Sequence, residues 1–228
     1  MIATKPSLTV ASPMTAIGLA FTAGYVDTVG FIAIADLFTA HVTGNFVVIG
    51  AALVDSKAGL LGKLLALPTF VVAVACARLV AARYEATDRS PARALVAIQI
   101  FLLLCFMTLG LLATPITIAD RPLPIAAGLM GVCAMATQNA AARLVFSDLT
   151  PTTVMTGNVT QIVLDGVDVL RGHADVGARM RLSRMGPPIL AFAAGAIGGA
   201  YAITFVGFWA LALPALVLCG IYAQYRDP

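Results

Sequence analysis

Six stretches of the chain, 14 to 35, 64 to 84, 94 to 113, 123 to 146, 186 to 206 and 207 to 225, are predominantly apolar. Each is close to the ~20 residues that an α-helix needs to cross a ~30 Å hydrocarbon core. Only 11% of the residues are charged and mean hydropathy is +0.96, which excludes a soluble enzyme. The expected fold class is therefore an all-α polytopic helical membrane protein. The first stretch follows Lys5, is longer than a signal-peptide core and has no A-x-A cleavage site after it, so it reads as a retained span. A net charge of +3, dispersed along the chain, offers no footprint for a nucleic acid. Cys76, Cys105, Cys133 and Cys219 lie within apolar stretches without a CxxC pair and read as buried thiols.

Two shorter apolar helices begin at two copies of one tripeptide, Thr43-Gly44-Asn45 and Thr156-Gly157-Asn158, separated by 156 − 43 = 113 residues, about half of the chain. Asp36-Leu37 precedes the first copy and Asp148-Leu149 the second, with one extra residue in the second linker. Val54-Asp55 and Val167-Asp168 follow in register. The chain thus reads as a duplicated unit, 1–113 and 114–228, together one integral membrane domain. Each unit has a long helix, D-L, T-G-N, a short helix, V-D and two more long helices.

Charge placement sets the expected topology. If the short helices dip in and return, a cytoplasmic N-terminus places Lys5, Arg78, Arg83, Arg89, Arg93, Arg143, Arg171, Arg179, Arg181, Arg184 and Arg226 inside. Only Lys57, Lys63 and Arg121 are then outside, 11 against 3. If the short helices cross, the best orientation gives 9 against 5. The expectation is six long transmembrane helices, two short re-entrant or broken helices, two inverted repeats and both termini cytoplasmic. A complete tilted span running on to Leu67 competes with it, because hydropathy alone does not separate the two.

The residues Ala23-Gly24-Tyr25-Val26-Asp27, His41-Val42-Thr43-Gly44-Asn45, Gln138-Asn139 and Thr153-Val154-Met155-Thr156-Gly157-Asn158 form a combination similar to that of the YoaK-like family of bacterial membrane proteins. The resemblance covers nearly the whole chain. It implies a bacterial inner-membrane, multi-pass protein of about this size, and it implies no established activity.

Function is therefore argued from individual residues. A carboxylate within a span, Asp27, is expensive enough to be a functional candidate, able to take and release a proton; a capped Asp with a packing role is the plain reading. His41, two residues before the first T-G-N and replaced by Val154 in the second unit, suits a proton relay or a hydrogen-bonded loop histidine. Thr43, Gly44, Asn45, Thr156, Gly157 and Asn158 suit helix starts, where free amides and polar side chains cap the helix or hold a solute. At an offset of 113, Gln138 and Asn139 fall opposite Tyr25 and Val26 and serve either as a cavity wall, which Gln161 extends, or as interhelical hydrogen bonds. Ala191, Gly195 and Gly199 make a small-residue face for close helix packing, and the same face suits a homodimer. Pro68 and Pro214 suggest kinks, Pro187-Pro188 a first helical turn, and 171–184 a solvated connector touching anionic lipid.

The leading functional expectation is a secondary transporter or facilitator for a small polar or anionic solute, proton-coupled through Asp27, with its site between inverted repeats near the midplane. No enzyme activity, cofactor or metal is expected, since the two histidines lack ligand spacing and no H-E-x-x-H or G-x-S-x-G is present. A membrane-embedded enzyme using Asp27 and His41 as acid and base, and a non-transporting scaffold, are the competing readings.

Overall fold

The protein is described by a computed structural model that covers residues 12–55 and 58–225. Lys5, Lys57 and Arg226, three of the charges that set the expected topology, lie outside the described residues, as does Ser56. Among the described residues the secondary structure is helical throughout: α1 (Pro13–Ala33), α2 (Gly44–Asp55), α3 (Leu60–Glu85), α4 (Ala92–Ala113), α5 (Pro122–Leu144), α6 (Thr156–Leu170), α7 (Ala178–Val206), a 3-10 turn (Gly207–Leu211) and α8 (Ala212–Gln224). Both T-G-N tripeptides sit at helix starts, although the cap of α6 is Met155 and makes no side-chain cap bond.

Among the described residues five helical stretches are long and apolar enough to cross a membrane: α1, α3, α4, α5 and the combined stretch Ala178–Gln224. The expected runs 186 to 206 and 207 to 225 both fall within the fifth, whose 47 residues would extend about 70 Å if straight. It is broken at Gly207, where φ is 58° and ψ −147°, a backbone conformation open to glycine. Before the break α7 runs parallel to α1, with Gly195 against Phe21 and Gly199 against Tyr25. After it the chain returns. Thr15 of α1 hydrogen-bonds Gln224, Gly18 packs on Ile221 and Val217, and on α4 Gly110 meets Phe208 while Arg93 stacks over Tyr222. α8 is therefore antiparallel to both α1 and α4.

Among the five candidate spans α1 and α5 are the most deeply buried and α3 is the most exposed. The halves interlock: α1 docks on α7 and α5 on α3, so the first helix of each half lies on the third helix of the other. Gly195 and Gly199, expected to serve either internal packing or a homodimer, are both occupied by the α1 backbone.

Several local expectations are corrected. Pro187 and Pro188 lie inside α7 rather than in its first turn, because the helix begins upstream at Ala178 and takes in the basic residues 179–184. Their missing N–H groups fall where Arg181, bonded to Asp165, anchors the segment to α6. Pro214 lies in the first turn of α8, where proline is tolerated, so it makes no mid-helix kink. The cysteines are free but none is buried: Cys76 and Cys219 are exposed, Cys105 and Cys133 partly so. They sit on outward faces of helices whose surroundings are apolar, so hydropathy did not distinguish the two cases.

Candidate functional site

The site begins where α1 ends. Ala35 and Asp36 adopt positive φ (45° and 62°) and reverse the chain, so that the loop 37–41 returns alongside the helix it has just left. Asp27 holds it there. Its Oδ1 accepts the amides of Thr39 and Ala40 at 2.7 Å each and the Thr39 hydroxyl at 3.3 Å, while Oδ2 lies 2.6 Å from His41 Nδ1. Asp27 is buried, whereas the His41 side chain keeps 33% of its surface exposed. Phe38 and Phe192 flank the imidazole edge-on, with ring centroids 6.3 and 5.7 Å away.

Asn45 closes the same loop. Its Oδ1 accepts the Phe38 amide and its Nδ2 donates to the Phe38 carbonyl, both at 2.9 Å, as a neighbouring β-strand would. The amides of Gly44, Asn45 and Phe46 bond back to the carbonyls of His41, Val42 and Thr43. The first turn of α2 thus presents no free amide from these three residues, in contrast to the expected solute cradle. Thr43 is exposed beside it, and Gly44 gives room to the Phe38 ring.

The second half builds the same device with different chemistry. Asn158 donates from Nδ2 to the carbonyl of Pro151 at 2.8 Å, matching Asn45 and Phe38 at an offset of 113. Proline has no N–H, so the reciprocal bond is missing. Asn139 Oδ1 accepts the Thr153 hydroxyl at 2.7 Å. Asn139 stands 139 − 27 = 112 residues after Asp27, and each pairs with a loop residue 14 positions later. The sequence register of 113 placed Asn139 opposite Val26. The helices keep an offset of 112 because the extra residue of the second linker enters only after Leu149, so Asn139 is the counterpart of Asp27.

Gln138 is fully committed. Its Oε1 accepts from Gln99 at 2.7 Å, and its Nε2 donates to the Leu19 carbonyl at 2.8 Å and to Thr152 Oγ1 at 3.2 Å. This buried network ties α4, α5, α1 and the second loop together, so Gln138 joins helices. Gln99 was not singled out from the sequence; an amide in an otherwise apolar span was the available signal. Gln161 donates to Asp165, which a fork from Arg181 also holds, at 2.9 Å from Nε and 2.6 Å from Nη2. It belongs to the α6–α7 tie and not to a wall extending from Gln138. Tyr25 is buried, with its ring against Phe21 and Gly198.

The loops lie on opposite sides of an antiparallel α1–α5 crossing. Thr39, at the level of Asp27, packs over Gly131 of α5, whereas Gln138 reaches Leu19 of α1. Eight residues up α1 correspond to seven down α5, so the loops are about 12 Å apart along the axis. The two T-G-N starts do not meet, as α2 packs on α3 and α6 on α7 without contact between α2 and α6. An apolar groove of about 480 Å³ between α3, α4 and α5, lined by Pro68, Val72, Cys76, Ile98, Cys133 and Thr137, reaches neither loop residue named above nor T-G-N.

With this geometry in place, comparison with known proteins gives one relative of direct use. The chain is 31% identical over 149 residues to the UPF0700 transmembrane protein YoaK of Bacillus subtilis (strain 168), a match covering 64% of this chain and 64% of that protein. The chain therefore matches less than two thirds of the relative's length. No solved structure matches. A family model described as "Protein of unknown function (DUF1275)" matches residues 15–223, a segment holding both loops and all the helices but the ends of α1 and α8, and the chain belongs to that family of multi-pass membrane proteins.

Proposed function

We propose that the chain is a secondary transporter or facilitator of a small polar solute, built from two inverted units whose interface is the α1–α5 crossing. The observation that carries this reading is the pair of returning loops, held by polar side chains at matching places of the two first helices. Irregular backbone at membrane depth is tolerated only where protein buries it or where it lines a polar cavity. In a transporter, such segments from opposite units bracket the solute path. The reciprocal packing of α1 on α7 and of α5 on α3 supports a two-fold relation between the units.

The same packing supports six crossings. α7 and α8 run in opposite senses on α1, so the stretch Ala178–Gln224 passes twice. α2 and α6, of 12 and 15 residues, rise only about 18 and 22 Å, too short for a full crossing. Both termini then fall on the side that holds most of the Lys and Arg, the cytoplasmic face of an inner membrane.

Sidedness tests the inverted arrangement. Single cysteines at Thr43 and Thr156, both exposed, are introduced into a chain lacking its four native cysteines and labelled with an impermeant thiol reagent in right-side-out and inverted vesicles. Labelling of the two positions from opposite sides is expected, and labelling of both from one side removes the inverted reading. Transport is tested separately, by flux of a panel of small amines, amides and carboxylates into proteoliposomes. Flux absent for every member removes the transport reading for those classes.

A further inference from the structure

The Asp27 carboxylate is buried and its Oδ1 is fully engaged. Three backbone amides, those of Thr39, Ala40 and, at 3.4 Å, His41, converge with the Thr39 hydroxyl on Oδ1, and the imidazole contacts Oδ2. Backbone amides can only donate, so they fix Oδ1 as an acceptor. The remaining proton of the cluster lies in the 2.6 Å contact between Oδ2 and Nδ1, and it sits on nitrogen because imidazole is the stronger base. The bond made by one ring nitrogen sets the role of the other. With hydrogen on Nδ1, the neutral ring presents Nε2 as a bare lone pair. Among the described residues Nε2 has no hydrogen-bond partner, and a third of the side-chain surface is open.

Besides Asp27 and His41, the only acidic or basic residue between 13 and 54 is Asp36, at the turn that opens the loop. Asp27 is the only acidic or basic residue in 13–33, and none occurs in 44–54, 94–113, 122–142 or 186–206. From α7 the ring meets Phe192 and from its own loop Phe38, neither of which titrates. The second half carries Asn139 at the place of Asp27 and Val154 at that of His41, and Asn139 pairs instead with Thr153, so no member is ionisable.

We propose that His41 Nε2 is a proton-binding site, with Asp27 as the residue that positions it, and that the protein carries this site in one half only, the other half retaining a neutral copy of the same clamp. On uptake a proton from water forms the Nε2–H bond, and the imidazolium charge is matched by the carboxylate already in contact with Nδ1; release is the reverse. This assigns the titrating atom to the loop histidine rather than to the helix carboxylate. The use made of the proton rests on the transport reading, whereas its binding does not.

The chain has two histidines, so full-length protein labelled with 15N-histidine in lipid nanodiscs gives two sets of ring resonances. His173, on the exposed connector, is assigned by loss of its signals in His173→Gln and serves as the internal reference. The expected result is that His41 moves reversibly between a neutral Nδ1–H form and a doubly protonated form between about pH 5 and 9, a range bracketing the reference histidine value. Asp27→Asn should reverse the tautomer. Its amide oxygen must still face the Thr39 and Ala40 N–H groups, which turns its NH2 towards Nδ1 and leaves the hydrogen on Nε2.

A single protonation state of His41 throughout that range, or an Nε2–H tautomer in the unsubstituted protein, overturns the proposal. The titration needs no variant at position 27, so a poorly folding Asp27→Asn chain does not block the test. A titrating His41 in a protein without flux leaves the site standing and removes transport. Flux with a non-titrating His41 does the opposite.

Discussion

The two T-G-N asparagines occupy equivalent places, yet their removal should have unequal effects. Asn45→Ala deprives both the N–H and the C=O of Phe38 of their partners, each at 2.9 Å, in a half-buried segment. A buried polar group left without its partner costs about 1–3 kcal/mol, so the pair amounts to about 2–6 kcal/mol. Asn158→Ala frees the carbonyl of Pro151, an exposed residue to which water has access, and a weak contact to Met155 Sδ, for about 1 kcal/mol or less. Aspartate separates a loop clamp from a helix cap. A cap tolerates Asp, whereas Asp at position 45 keeps the acceptor for Phe38 N–H and sets a carboxylate oxygen against the Phe38 carbonyl. Asn45→Asp should therefore be no more stable than Asn45→Ala. The assay is reversible SDS unfolding in mixed micelles, followed by circular dichroism. Equal losses for the two Ala variants, or recovery of stability in Asn45→Asp, would refute the clamp.

The glycines give a sharper contrast. A methyl at Gly24 would lie 2.2 Å from the Phe192 carbonyl oxygen, so Gly24→Ala must push α1 and α7 apart, at about 1–3 kcal/mol or more in the same unfolding assay. Nothing lies within 4 Å of a methyl at Gly157, so Gly157→Ala should be neutral or more stable by up to about 1 kcal/mol. On the connector, the hydrogen bond from Arg181 and then the Gly177 amide hold the Asp175 carboxyl below the usual range. Its stabilising contribution is therefore present above about pH 4 and is lost as pH falls through the lowered value. Amide hydrogen exchange at 176–178, corrected for intrinsic rates, should show less protection at pH 3 than at pH 6, and unchanged protection would refute the tie.

The long apolar runs revealed the helical class and most helix positions, because length and hydropathy are properties of single segments. The two T-G-N helix starts were legible too. The register between them was not: the extra residue can be placed anywhere in the second linker until side-chain partners locate it after Leu149. What the polar residues near T-G-N do was left open by the sequence between solute contact and structural bonds. Asn45, Asn158, Gln138 and Asn139 look available for a solute in sequence, yet each is bonded to backbone or side chains. Such bonds depend on a loop returning along its own helix, and the signal for that reversal was only Ala35-Asp36 in left-handed conformations, which composition does not encode. The pairing of Asp27 with His41 was within reach, since a lone carboxylate in a span demands a partner.

Interlocked halves impose an order on synthesis. Gly24 docks on Ala196, 172 residues later, so at ~5–20 residues per second roughly 10–30 s separate the emergence of α1 from that of the surface it packs on. Throughout that interval α1 carries its carboxylate without the helix that completes its burial. The local loop can close over Asp27 as soon as His41 has been made, and it then shields the charge while the rest of the chain is inserted. Phe192, the aromatic face that completes the surroundings of His41, arrives only with α7. A ribosome-bound chain stalled before that helix would hold the clamp with one wall missing.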